Sequence, residues 1–421
     1  MKNKGITLVA LVITIIILLI LAGISISALT KTELIEKTKE AKEKTEATSE
    51  TEKRELAQIE ANEKTEETEY EGIKIPAGCI VSKINNEDKI DKGIVIIDIN
   101  GNEWVWIDVP KIYTEKCNTD EEIENNLKQY ALPYSKEAIG DSQKAYSDDW
   151  YAIDNNQVIS KDTENLTDMQ KNMTNGCGLT YDEYYELKSK MLNSIKNNGG
   201  FWIGRYELGD ENATKNNSTR TKATEGEGKA VIKANQVPYN YFACEKAEEL
   251  ANKLSFGNNK CSILFGLQWD LVCKYLEDKE GLTTMDINSD SRKIGNYRNS
   301  SISLSRGKYN TTPKKSNTTW KSIKEETQNY IINKKTNNNE NFYQLLTTGA
   351  SEDTKIMNIY DLAGNLYEYT LEKSPNNTAN SAFVVRGGEY SGSGNYGCMS
   401  KRFYNSYGNI ADYVGFRITM F

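Results

Sequence analysis

The sequence predicts a mixed α+β globular domain carried behind a long N-terminal helix, and three observations support that expectation. Residues Ile6 to Leu29 contain no charged side chain, and the stretch from Thr30 to about Glu69 turns abruptly to Lys, Glu, Thr and Ala. From Gly72 onward, short β-rich runs and a few helical patterns alternate with polar, irregular sequence. The expected organisation is an apolar leader and transmembrane helix over 1–29, a charged helical stalk over 30–70, and a globular domain with polar insertions over 71–421.

The apolar run matches the length a spanning helix needs to cross the hydrocarbon core. Lys2 and Lys4 lie on its short N-terminal side, which puts the N-terminus in the cytoplasm and the rest of the chain outside. A cleaved secretory signal is the alternative, but the run is longer than an ordinary signal-peptide core. The segment KGITLVALVITIIILLILAGISI resembles the N-terminus of type IV prepilins and pseudopilins. That resemblance implies cleavage between Gly5 and Ile6 by a prepilin peptidase, methylation of Ile6, and pilin subunits as partners. Ala10 occupies the fifth mature position, where major pilins carry glutamate. The departure points to a minor or tip subunit, or to a protein that uses the segment as an anchor.

The Lys/Glu-rich stretch has good helix formers and many opposite charges three or four residues apart, which favour an exposed helix. No sustained heptad appears in it, so a coiled coil is not indicated. Beyond it, GIVIIDI and NEWVWIDV flank Asn100-Gly101, a dipeptide that favours a two-residue type I′ hairpin turn. Trp104 and Trp106 are expected to pack on that hairpin. Thr180 to Asn197 reads as a helix, Phe201 to Leu208 as a strand, and Glu245 to Leu254 and Trp269 to Leu276 as short helices. Asn- and Thr-rich stretches at 212–224 and 333–341 read as surface insertions.

Composition removes several functions. The chain has 421 residues, a formal net charge of -8 and no histidine. An acidic balance disfavours a nucleic-acid partner, whose phosphates require a basic face. The missing histidines exclude Ser-His-Asp and Cys-His catalysis and imidazole-based zinc or iron sites. Seven cysteines, with no C-x-x-C pair, read as thiols more than as a disulfide framework.

The stretch NIYDLAGNLYEYT (Asn358 to Thr370) sets Asp361 and Glu368 around a glycine turn. With the carbonyls of Gly364 and Leu366 they form an oxygen-rich loop that suits calcium. A turn with a capping aspartate is the other reading. Together with VVRGGEY and VGFRI, this stretch resembles the C-terminal part of the formylglycine-generating enzyme, or sulfatase-modifying factor, family. Its pattern runs N-x-Y-D-M-x-G-N-V-W-E-W, then R-G-G-S-W/Y, then G-F-R. Asn358, Tyr360, Asp361, Gly364, Asn365 and Glu368 match the first block, Arg386, Gly387, Gly388 and Tyr390 the second, and Gly415, Phe416 and Arg417 the third. Looser echoes lie in GGFWIGRYELG, VPYNYFACEKAEELANKL and FGLQWDLVCKYL. The resemblance implies a C-type-lectin-like α+β fold with a mixed sheet, short helices and much loop.

It also implies a test for catalysis. The family's enzymes oxidise a substrate cysteine with copper held by two cysteines five residues apart, shortly after the second block. Soft thiolates are what Cu(I) demands. In RGGEYSGSGNYGC, Gly392 and Gly397 stand at those places, and Cys398 is the one weak catalytic candidate. A distant thiol, such as Cys244, Cys261 or Cys273, would have to fold beside it, so copper is not expected. The related iron oxygenases that use a histidine cluster are excluded by composition.

From Tyr390 to Tyr413 the chain is dominated by Tyr, Ser, Gly and Asn, the composition of antibody paratopes. Some proteins of the lectin-like superfamily display a diversified ligand-binding surface in this segment. Tyr390, Asn395, Tyr396, Lys401, Arg402, Tyr404, Asn405 and Tyr407 are the expected contacts, for an extracellular protein or glycan ligand. A tyrosine-rich loop built only to fold is the bland reading. The leading expectation is a membrane-anchored or pilus-associated binding module on a non-catalytic domain. A copper-dependent formylglycine-generating oxidoreductase and a structural minor pilin are the alternatives.

Overall fold

The computed structural model describes residues 31–135, 147–154, 157–160, 163, 165–213, 229–304, 306–310, 320–322, 344–374, 383–405 and 411–421. The apolar segment Ile6 to Leu29, the Gly5–Ile6 processing site, the insertion at 333–341 and most of the one at 212–224 lie outside the described residues. Among the described residues no helix is long and apolar enough to cross a membrane.

Chain contacts separate the residues up to Glu55 from a compact unit, Leu56–Phe421. The helix Lys31–Asn62 realises the expected charge spacing, with Arg54 paired to Glu50 at 2.8 Å and Lys42 to Glu46 at 3.6 Å. It stops short of Glu69, because Thr68–Tyr70 instead pairs antiparallel with Ile73–Ile75. The packed domain also starts earlier than Gly72: Ala57 and Ala61 are buried, and Gln58 Nε2 donates to Ile99 O at 3.1 Å.

Within Leu56–Phe421 the architecture is mixed α+β, with many short strands and few long helices. The largest sheet is antiparallel throughout, in the order Cys261–Ile263, Ile418–Met420, Gly200–Gly204, Glu103–Asp108, Val95–Asp98, Cys79–Val81. Trp104 and Trp106 do pack, as expected. Trp104 is fully buried and donates its Nε1 hydrogen to Asp98 Oδ2 at 3.0 Å, while the Trp106 and Trp202 rings lie 5.0 Å apart.

The hairpin turn differs from the two-residue type. Ile97 pairs with Glu103 and Asp98 N donates to Asn102 O, which leaves Ile99, Asn100 and Gly101 as a three-residue loop with Gly101 at φ 74°. Asp98 selects it, since its carboxylate accepts from the backbone N–H of Asn100 and of Asn102 and from the Asn102 and Trp104 side chains. Three-residue loops closing on a left-handed residue are the next most common hairpin solution.

The helix Tyr181–Asn198 follows the sequence closely. Thr180 and Glu183 form a capping box, and Gly199 ends the helix in the left-handed region, where a glycine costs least. Gly266–Glu280 is longer than its apolar pattern suggested, because Asp148 reaches across the fold to cap it. Its two carboxylate oxygens accept from Gly266 N and Leu267 N, each at 2.7 Å. Cys177 and Cys244 form a disulfide, with Cα atoms 4.7 Å apart. The cysteines were expected as thiols more than as a disulfide framework; this one pair departs from that, and the other five are free. The pairing was not visible in spacing, because the two stand 67 residues apart.

A second sheet carries the C-terminal motifs in the order Phe403–Asn405, Phe383–Arg386, Tyr367–Lys373, Val414–Gly415, the last pairing being parallel. Phe403–Asn405 is one of its two edge strands.

Candidate functional site

The motif residues converge in the interior. Arg417 is fully buried and grips Glu368 with two donors, Nη2 to Oε1 at 2.8 Å and Nε to Oε2 at 3.2 Å. Its remaining donors reach Gly204 O at 2.9 Å and Tyr360 O at 2.8 Å. Asp361 is equally occupied, with Oδ2 accepting from Gly349 N at 2.7 Å and Oδ1 from Thr354 Oγ1 at 2.8 Å. Asn365 ties the turn to two other segments, donating to Glu207 Oε2 at 2.6 Å and accepting from Leu346 N and Asn296 Nδ2.

These contacts redirect the calcium expectation. The Asp361 and Glu368 carboxylates each accept hydrogen bonds from protein donors. Among the described residues no group of three or more His, Cys, Asp or Glu side chains is placed to hold a metal ion. Gly364 serves packing instead: at φ 73°, a Cβ there would stand 2.4 Å from Asn296 O. Burial pushes Glu368 up to about 7, and the Asp361 and Glu207 carboxyls are raised by the same cause.

A second buried charge cluster lies beneath the Tyr-rich segment. Arg386 and Arg402 share Asp270 and Glu372, in a ring of four ion pairs between 2.6 and 3.2 Å. Arg402 also donates to Tyr134 O at 2.7 Å. It is therefore interior scaffold, which corrects its expected place among the surface contacts. The same correction applies to Tyr390, which is fully buried with its hydroxyl donating to Asp412 and its backbone N–H to Asn365 O. Composition named both residues because Tyr and Arg suit interfaces; it carries no signal of which side chains turn inward.

The loop between them is clamped from below by residues 291–299. Ser291 N donates to Gly394 O, Arg298 N to Gly392 O, Gly394 N to Asn299 Oδ1, and Tyr297 Oη to Gly387 O. Gly388 permits this closeness: at φ 81°, a Cβ there would stand 2.0 Å from Gly397 O.

On this base Tyr396 is 70 % exposed, with its ring 5.5 Å from Phe403, which in turn lies 5.2 Å from Tyr367. Asn395 is exposed beside it and accepts from Asn299 Nδ2 at 3.2 Å, and Lys401 is half-buried. Tyr404 is 50 % exposed. Alternation along the strand Phe403–Asn405 sends it to the opposite face from Phe403, so the two exposed tyrosines do not form one patch. Asn405 lies in that edge strand, and Tyr407 lies outside the described residues. Phe403, Tyr367 and Asn299 are contributors that composition did not single out. Ring packing joins the first two to Tyr396.

Cys398 is buried and donates to Asn288 O at 2.8 Å. Cys244 is unavailable to it, being joined to Cys177. Gly392 and Gly397 occupy backbone turns, donating to Glu389 O and Ser393 O.

With the geometry in place, comparison with known proteins locates the motifs. Residues 295–420 match the sulfatase-modifying factor enzyme 1-like domain, which spans the Asn358, Arg386 and Gly415 blocks. The echoes at 199–276 lie upstream of the matched stretch. The solved structure of Treponema denticola variable protein 1 is 16% identical over 52% of this chain and 84% of that one, with a TM-score of 0.27. No curated protein matches the chain.

Proposed function

We propose that the chain is a surface-anchored binding module, in which a domain similar to sulfatase-modifying factors serves as a rigid, non-catalytic scaffold for recognition. One observation carries the reading. In the segment after Arg386 the lone thiol, Cys398, is buried against Asn288 O, while Tyr396 stands 70 % exposed on a loop held by backbone hydrogen bonds. Copper chemistry of the formylglycine type needs two thiolates, and glycines stand at both expected positions.

The recognition face comprises Tyr396, Phe403 and Tyr367, with Asn395 and Asn299 as polar partners. A clamped loop loses little entropy on binding, and tyrosine brings large amphipathic area with few rotatable bonds. The ligand is an extracellular protein or glycan, and the prepilin-like segment supplies the anchor and, through cleavage at Gly5, an optional route into a filament. The test is a photo-cross-linking residue placed at 396 in the full chain on intact cells. Adducts from 396 that disappear with Phe403→Ala support the reading. Adducts formed equally from an exposed position on another element, such as Glu121, refute it.

A further inference from the structure

We propose, resting on the recognition reading above, that the ligand is an extended peptide segment of a protein, which adds as a further strand alongside Phe403–Asn405. That strand forms one edge of the second sheet and pairs on one side, with Phe383–Arg386, through Phe383↔Asn405, Val384↔Tyr404 and Val385↔Phe403. In an antiparallel ladder, backbone N–H and C=O groups point by turns to the neighbouring strand and to the open side. Among the described residues, none hydrogen-bonds the outward groups of Phe403 or Tyr404.

Exposed edges are ordinarily blunted by Lys, Pro or an inward-pointing charge. The strand Phe-Tyr-Asn carries none of these, and it places aromatic side chains on both of its faces. Phe403 lies with Tyr396 and Tyr367 on one face, and Tyr404 stands on the other. Two aromatic faces that do not merge into one patch are what an added strand engages, because its own side chains alternate between the same two faces. That arrangement favours a peptide over a glycan.

The edge is also preformed. Arg402, immediately before it, is fixed in the buried ring with Asp270 and Glu372, and Val384 and Val385 in the paired strand are buried. Little ordering is then left to oppose pairing. Three residues limit the new ladder to a few main-chain hydrogen bonds, so the aromatic contacts on either face supply the selectivity.

The test pans the full chain, held in detergent micelles, against random dodecamer peptides displayed on phage, and applies the same protein to a glycan array. Affinity for the selected peptides should fall about tenfold with Tyr396→Ala and, separately, with Tyr404→Ala, the scale of losing one aromatic anchor. N-methylation of alternate peptide residues should abolish binding in one register and spare it in the other, since every second amide faces the edge. Amide exchange in Phe403–Asn405 should slow on binding, and unchanged melting curves confirm that the variants are folded. The strand proposal is overturned, with the recognition reading intact, if glycans bind in a Tyr396-dependent way and no peptide does. It is equally overturned if the peptides tolerate N-methylation in both registers or ignore Tyr404→Ala. If neither peptides nor glycans depend on Tyr396 and Phe403, the recognition reading falls with it.

Discussion

Replacing Arg417 by methionine keeps an apolar stem and removes the guanidinium donors that tie Glu368, Gly204 and Tyr360 together. Glu368 loses both of its hydrogen bonds inside a fully buried site, and removing one partner of such a pair costs about 3–5 kcal/mol. The carbonyls of Gly204 and Tyr360 lose theirs as well, at about 1–3 kcal/mol for each group left unsatisfied. Because burial already raises Glu368 to about 7, proton uptake relieves part of the charge penalty near neutral pH. Taking the low end of each contribution gives a loss of about 5 kcal/mol, against a total stability of about 5–15 kcal/mol for a typical domain. Urea unfolding followed by tryptophan fluorescence measures it, since Trp104, Trp150 and Trp269 are all fully buried. Adding Glu368→Gln should recover about 2 kcal/mol, because the orphaned charge is then gone. A loss under about 1 kcal/mol for Arg417→Met, or a double variant no better than the single one, would show that the Arg417–Glu368 pair does not hold these motifs together.

Other outcomes follow from the same structure. Burial pushes the Glu248 carboxyl up to about 7 and that of Asp148 up to about 6, so the folded chain binds more protons than the unfolded one above the ordinary carboxylate range. Stability should therefore be highest in mild acid and fall as pH rises to about 7, and Glu248→Gln should flatten that slope in urea titrations at several pH values. Reducing Cys177–Cys244, or replacing both cysteines by serine, should cost about 4 kcal/mol for a loop of 67 residues, read as a lower urea midpoint. Calcium at millimolar concentration should leave the melting temperature unchanged, since Asp361 and Glu368 are held by protein donors; a rise abolished by Asp361→Ala would restore the metal reading. Mass spectrometry of the mature N-terminus should begin at Ile6, and an intact Met1 would remove the prepilin assignment.

The parts of the fold that were legible in sequence are those governed by neighbours in the chain. The helix Tyr181–Asn198 was readable because Thr180, Glu183 and Gly199 write its ends locally. The hairpin was readable as a hairpin, but its turn was not, because Asp98 gathers donors from Asn100 through Trp104 and shifts the closing pair. The motif residues were located in sequence, but the donors that hold them were not visible there. Glu368 is held by Arg417, 49 residues away, and Asn365 by Glu207, 158 residues away. The Tyr-rich segment shows the same limit. Tyr390 and Tyr396 look alike in composition, yet Asp412 draws one into the interior while the other remains on a loop propped by residues 291–299.

The central claim is that the segment after Arg386 recognises a ligand and performs no cysteine oxidation. The most direct measurement incubates the full chain, supplied with Cu(I) and oxygen, with a cysteine-containing peptide and follows the peptide mass. The account predicts that the thiol remains and the mass is unchanged. Appearance of formylglycine in the peptide, lost when Cys398 is replaced by serine, would contradict it.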